Sequence, residues 1–93
     1  MTEKEMDRAL ESLADKGLIQ NFPPHGASPL VSFDTLFVLA VATHRPSHKG
    51  QKLTRIEQRV LASFVWIMAD SLEPKRKKLA KKALLEAWPD LEG

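Results

Sequence analysis

Apolar residues recur along the chain in helical rhythm. Between Thr2 and Lys16, Met6, Ala9, Leu10, Leu13 and Ala14 fall at three- and four-residue steps, which gathers them into one stripe on an α-helix. Thr2 and Glu5 open that stretch as a capping box: the threonine hydroxyl accepts from the Glu5 amide while the glutamate reaches back to Thr2. Gly17 then takes the left-handed conformation that ends a helix at little steric cost, with Leu18 and Ile19 as the apolar capping contact. The pattern predicts a helix over residues 2–16. The next stretch, Asn21-Phe22-Pro23-Pro24-His25-Gly26-Ala27-Ser28-Pro29, carries three prolines that lack donors and push their predecessors out of helical geometry. It predicts a Pro-rich loop packed through Phe22.

The run Leu36-Phe37-Val38-Leu39-Ala40-Val41-Ala42 is apolar on every side. Ser32 or Asp34 stands where a helix over 33–43 would be capped. A buried strand is the competing reading, since periodicity does not separate the two in a short run; eleven residues and the leucine and alanine content favour the helix. His44 to Lys52, broken by Pro46 and Gly50, predicts a second loop. A second capping box, Thr54-Arg55-Ile56-Glu57, opens the longest element, residues 54–71. Ile56, Val60, Leu61, Phe64, Val65, Ile67, Met68 and Leu72 cover well over half its circumference, with Arg55, Arg59, Ser63 and Asp70 on the wet side, which predicts a central helix. Glu73-Pro74 starts a fourth helix, 74–88, with Leu79, Ala80, Ala83, Leu84 and Ala87 as its inner face and Pro89 as its stop. The expected fold is therefore all-α: a small bundle of about four helices (2–16, 33–43, 54–71, 74–88) in one domain, 1–93, with the second and third helices buried.

Arg8-Ala9-Leu10-Glu11-Ser12-Leu13-Ala14-Asp15-Lys16-Gly17-Leu18-Ile19 resembles the end of a winged-helix recognition helix running into its wing. The two helices that precede that element in such regulators find no room before Met1, and the segment after it reads as helical rather than strand-rich. No family is assigned on these twelve residues.

Composition narrows the function classes. The 93 residues hold no cysteine, so disulfides, thiolate metal clusters and cysteine nucleophiles are absent and a reducing cytoplasm is the expected location. The apolar run from Leu36 to Ala42 is far shorter than the roughly 20 residues of a membrane span. Gly17, Gly26, Gly50 and Gly93 are isolated, and Lys49-Gly50-Gln51-Lys52 lacks the spacing of a phosphate-binding loop. His44 and His48 are four apart, but Pro46 between them breaks the helical face that a zinc pair needs, and His25 has no partner in sequence. Carboxylate pairs such as Glu3 with Asp7 belong to a solvated helix face. Neither an enzyme, a cofactor nor a metal is expected. Trp66 and Trp88 are expected in the core or an interface.

Charge is the feature that core formation leaves unexplained. The net charge is only +2, yet residues 44–82 carry eleven Lys and Arg against Glu57, Asp70 and Glu73, a balance of +8, while 1–43 and 83–93 stand at −3 each. Lys75, Arg76, Lys77, Lys78, Lys81 and Lys82 crowd the fourth helix, and Arg45, Lys49 and Lys52 the loop before the third. Such crowding opposes the helix dipole and repels itself, at a few tenths of a kcal/mol per residue. An anionic partner would relieve it. The expectation is a small regulatory or accessory protein that binds DNA or RNA, or a nucleoprotein complex, through these nine residues; the alternative is a protein-binding module or inhibitor that docks on an acidic or apolar surface. A homodimer through Phe37, Val41, Phe64 and Trp66 would cover the two most apolar helices.

Overall fold

A computed structural model describes residues 2–22 and 26–92. Helix α1 (Glu3–Asp15) starts at the expected capping box: Thr2 Oγ1 accepts from the Glu5 amide at 3.1 Å, and Glu5 Oε1 accepts from the Thr2 amide at 3.3 Å. It ends at Gly17, whose φ of 77° is the left-handed turn, with the Leu18 amide returning to the Leu13 carbonyl.

The segment after α1 departs from the expected loop. Strands β1 (Ile19–Phe22) and β2 (Gly26–Pro29) pair antiparallel, with Ile19 opposite Pro29 and Phe22 opposite Gly26. Prolines argue against a central strand, but this ladder has only two strands, and Pro29 sits at its end, where the Leu30 amide takes over the bonding by donating to Leu18. A strand pair, not a helix, therefore follows the recognition-helix-like sequence. The Phe22 side chain and His25 lie outside the described residues, and so does the expected packing through Phe22.

Helix α2 (Phe33–Val41) is a helix, not a strand, and Ser32 rather than Asp34 caps it, its Oγ accepting from the Thr35 amide at 3.3 Å. The second expected loop also contains pairing: β3 (Ser47–His48) and β4 (Gln51–Lys52) form a minimal hairpin. Its turn residues Lys49 and Gly50 have φ of 51° and 79°, both positive as a two-residue hairpin turn of the primed type requires. Helix α3 (Arg55–Met68) opens with the Thr54–Glu57 capping box and tightens into a 3₁₀ turn over Ala69–Ser71. Helix α4 (Pro74–Ala87) starts on Pro74 and gives way at Trp88 to a last 3₁₀ turn, Pro89–Glu92. Among the described residues the fold is mostly helical, with four helices and two small strand pairs, and so is not strictly all-α.

As expected, α3 is the central element, touching α1, α2 and α4. Leu13, Leu18, Ile19, Leu36, Leu53, Leu61, Val65 and Leu84 are fully buried around it. The expected inner faces need correction at five positions: Ile67 is 70% exposed, Leu79 is 62% exposed, and Met6, Val38 and Ile56 also face solvent. A wheel locates an apolar stripe but not the neighbour that covers it. Here α1 packs on the Glu57 side of α3, and α2 and α4 on the side of Gln58, Ala62, Val65 and Ala69, which leaves the sector of Ile67 uncovered. Two polar side chains enter the core unannounced: Gln58 donates to the carbonyls of Leu39 and Ala42 at 3.1 Å each, and Glu57 accepts from Lys16.

Candidate nucleic-acid interface

The fourth helix presents its cations because its core face is narrow. Ala80 and Leu84 are the buried positions, and Trp88 just past the end joins them. At about 100° per residue, Lys77, Lys81, Lys78, Lys82 and Lys75 then follow one another around the adjoining sector. Four of these lysines, with Pro74, Leu85 and Glu86, line one open surface. Arg76 falls on the other side of the helix, where it meets Asp34 of α2 at 3.6 Å.

The 3₁₀ turn after α3 supplies the counter-charge. Asp70 lies 2.6 Å from the Lys81 ammonium and 3.3 Å from that of Lys77, and hydrogen bonds from Lys81 first and Lys77 second hold its carboxyl below the usual carboxylate range. Lys81 also stands 4.4 Å from the ring centre of Trp66, a cation–π contact. Lys75, Lys78 and Lys82 form no ion pair among the described residues. The helix start carries no side-chain cap, and its first turn holds cations without an acid. The local field there favours an anion.

The nine cations expected to act together occupy two places. Arg45, Lys49 and Lys52 belong to the β3–β4 region beside the start of α3. The Arg45 Nε donates to the Leu53 carbonyl at 3.0 Å, and Arg45 lines a cleft of about 660 Å³ with His44 and Arg55. The Lys49 ammonium comes within 3.8 Å of where a Cβ on Gly17 would stand, against the C-terminal end of α1. The α4 set gathers at Asp70, beyond the other end of α3, a separation of about 20 Å along a 14-residue helix. Within the first set, Lys49 approaches α1, whereas the cleft of Arg45 is closed by Gln58 of α3 and Ala87 at the end of α4.

The four expected dimer contacts are likewise dispersed. Phe37 and Val41 share the outer side of α2, Phe64 lines a groove with Met6 and Leu10 of α1, and Trp66 lies against Lys81. All four are half-buried. Trp88 is buried, its indole N–H donating to the Ala40 carbonyl at 2.8 Å with the Arg55 guanidinium 3.7 Å from its ring centre. Helix α1 exposes Glu3, Glu5, Asp7, Glu11 and Asp15 against Lys4 and Arg8, a face that repels phosphate.

Sequence reasoning missed the polar cluster at the α1–α3 contact. Glu57 Oε2 lies 2.5 Å from the Lys16 ammonium and accepts from Ser12 Oγ at 3.0 Å, while Oε1 takes the Thr54 amide at 2.8 Å. Burial pushes the Glu57 carboxyl up, and the hydrogen bonds from Lys16, Thr54 and Ser12 together overcome it and bring it below the ordinary range. The capping box announced one of these bonds; Lys16, forty-one residues away, left no signal. Among the described residues no group of three or more His, Asp or Glu is placed to hold a metal, and no helix is long and apolar enough to cross a membrane. Compared with known proteins, the chain matches no family model, no curated protein and no solved structure.

Proposed function

We propose that the protein is a small non-enzymatic regulatory or accessory factor of the cytoplasm that binds DNA or RNA, alone or within a nucleoprotein complex, through the lysine face of α4. One observation carries this reading: five lysines share one sector of α4, and Lys75, Lys78 and Lys82 have no ion-pair partner among the described residues. Phosphates placed along that sector supply the missing counter-charge, and the uncapped helix start adds free amide donors. Arg45, Lys49 and Lys52 stand beside the start of α3, away from the Asp70 cluster, and form a separate, weaker contact. The reading includes a homodimer, and the acidic residues of α1 are no part of the binding surface.

Each neutralised phosphate releases condensed counterions, so four engaged lysines give a slope near −3.6 for the logarithm of duplex affinity against the logarithm of salt. Replacing Lys75, Lys78, Lys81 and Lys82 with glutamate abolishes binding and preserves the far-ultraviolet helical signal. The control exchanges Glu3 and Glu11 for lysine on the acidic helix. An equal effect from that control makes bulk charge, not this face, the determinant. Absence of binding at low salt rules out the nucleic-acid reading and favours a protein partner with an acidic surface.

A further inference from the structure

We propose that the outer face of α2 and α4 is where a second copy of this chain docks, in a two-fold arrangement. The inference rests on the homodimer in the reading above and is independent of nucleic-acid binding. Beyond its first turn helix α2 is apolar on every side, but its neighbours cover only the side of Leu36, Leu39 and Ala40. Phe37 and Val41 are left half-buried, Val38 is 63% exposed, and beside them Leu79 of α4 is 62% exposed. Folding of one copy leaves this apolar area in water, where burial against a partner is favourable.

The face carries the features that a two-fold contact demands, because the same patch must complement itself. Phe33 and Phe37 stack at 5.9 Å and, with Leu72, Leu79 and Ala80, line a cleft of about 240 Å³. Val38, one turn beyond Asp34 on α2, is an exposed apolar side chain on the same side of the helix, so each copy offers an apolar side chain as well as a recess. The charges match in the same way. Asp34 and Arg76 border the cleft, both well exposed and 3.6 Å apart, one acid and one base on a single face. In the two-fold pair, Asp34 meets the partner's Arg76, and the reciprocal pair forms with it. On α4, Leu79 lies about 160° from Lys81 but only about 40° from Lys75 and about 60° from Lys82, so this docking leaves the side of Lys77, Lys81 and Lys78 open and borders Lys75 and Lys82.

Sedimentation velocity of the full chain over a concentration series tests the proposal. The wild type is expected to dimerise, Val38→Asp and Leu79→Asp to be monomeric with their helical signal intact, and Ile67→Asp, on the uncovered sector of α3, to remain dimeric. Asp34→Arg and Arg76→Asp are each expected to lose the dimer, and an equimolar mixture of the two to regain it, since every cross-pair is again opposite in sign. That recovery is unavailable to misfolded variants. A wild type that stays monomeric at high micromolar concentration overturns the homodimer itself. A dimer that survives both Val38→Asp and Leu79→Asp, or that only Ile67→Asp dissolves, overturns this face and leaves the homodimer standing. A mixture that stays monomeric overturns the two-fold pairing.

Discussion

Helix α3 is held on its two flanks by lysine–carboxylate contacts in opposite settings. On the α1 flank, Lys16 and Glu57 meet with side-chain exposures of 11% and 3%, and Ser12 and Thr54 satisfy the remaining carboxylate capacity. On the α4 flank, Asp70 stands in water and is shared between Lys77 and Lys81. The same chemistry does different things in these settings. A desolvated pair with its hydrogen bonds complete is costly to break because the survivor has nowhere to put its charge. A solvated pair is exchangeable, since water or another anion takes the place of Asp70. The first contact fixes the position of α1 on α3; the second holds two lysines at an exposed surface, where the proposed phosphate partner would have to displace a carboxylate.

Breaking the buried contact gives the largest expected effect. Lys16→Met leaves the Glu57 carboxylate buried without its cation and costs about 3 kcal/mol, the lower end of the range for such losses because Ser12 and Thr54 still donate. In a domain of this size that lowers the thermal midpoint by more than about 10 °C, read by circular dichroism. Acid sharpens the same comparison. The Glu57 pKa is lower folded than unfolded, so its contribution is complete above the unfolded value of about 4.3 and disappears as pH falls through the folded one. The midpoints of the wild type and of Glu57→Gln are therefore expected to differ at neutral pH and to converge as pH falls below the unfolded value and through the lower folded one. Asp70→Asn gives the smallest structural effect: the midpoint stays close to wild type, while nucleic-acid affinity at fixed salt rises because Lys77 and Lys81 are released. A large loss of stability there removes the distinction between the flanks.

What the sequence made legible is what neighbouring residues decide. Thr2 with Glu5, Thr54 with Glu57, Gly17, and Glu73 with Pro74 each act within one helical turn, and each marks a helix end in the structure. The apolar run of α2 is a helix for equally local reasons. Pairings across distance were not legible. The β1–β2 ladder is too short to produce alternation, and its prolines masked it; Gln58 reads as a surface residue until the carbonyls of Leu39 and Ala42 are found above it. The lysine face of α4 was visible from spacing alone, but its separation from Arg45, Lys49 and Lys52 follows from the length of α3. Asp70 gave no hint of its part, since a lone carboxylate on a wet face has no periodicity.

Trp88 has a bearing on the order in which the chain comes apart. Its indole reaches across forty-eight residues to the Ala40 carbonyl, and besides it α4 contributes only Ala80 and Leu84 to the fully buried positions. A helix with so few buried side chains is expected to open as a unit at a free energy below that of global unfolding, with Trp88→Ala lowering that free energy most, as amide exchange would read. The amide protons of α4 are then expected to exchange together, ahead of those of α3. Any polyanion laid along the lysines bridges successive turns of α4 and slows that exchange, so the latch and the cationic face are coupled through the helix that carries both.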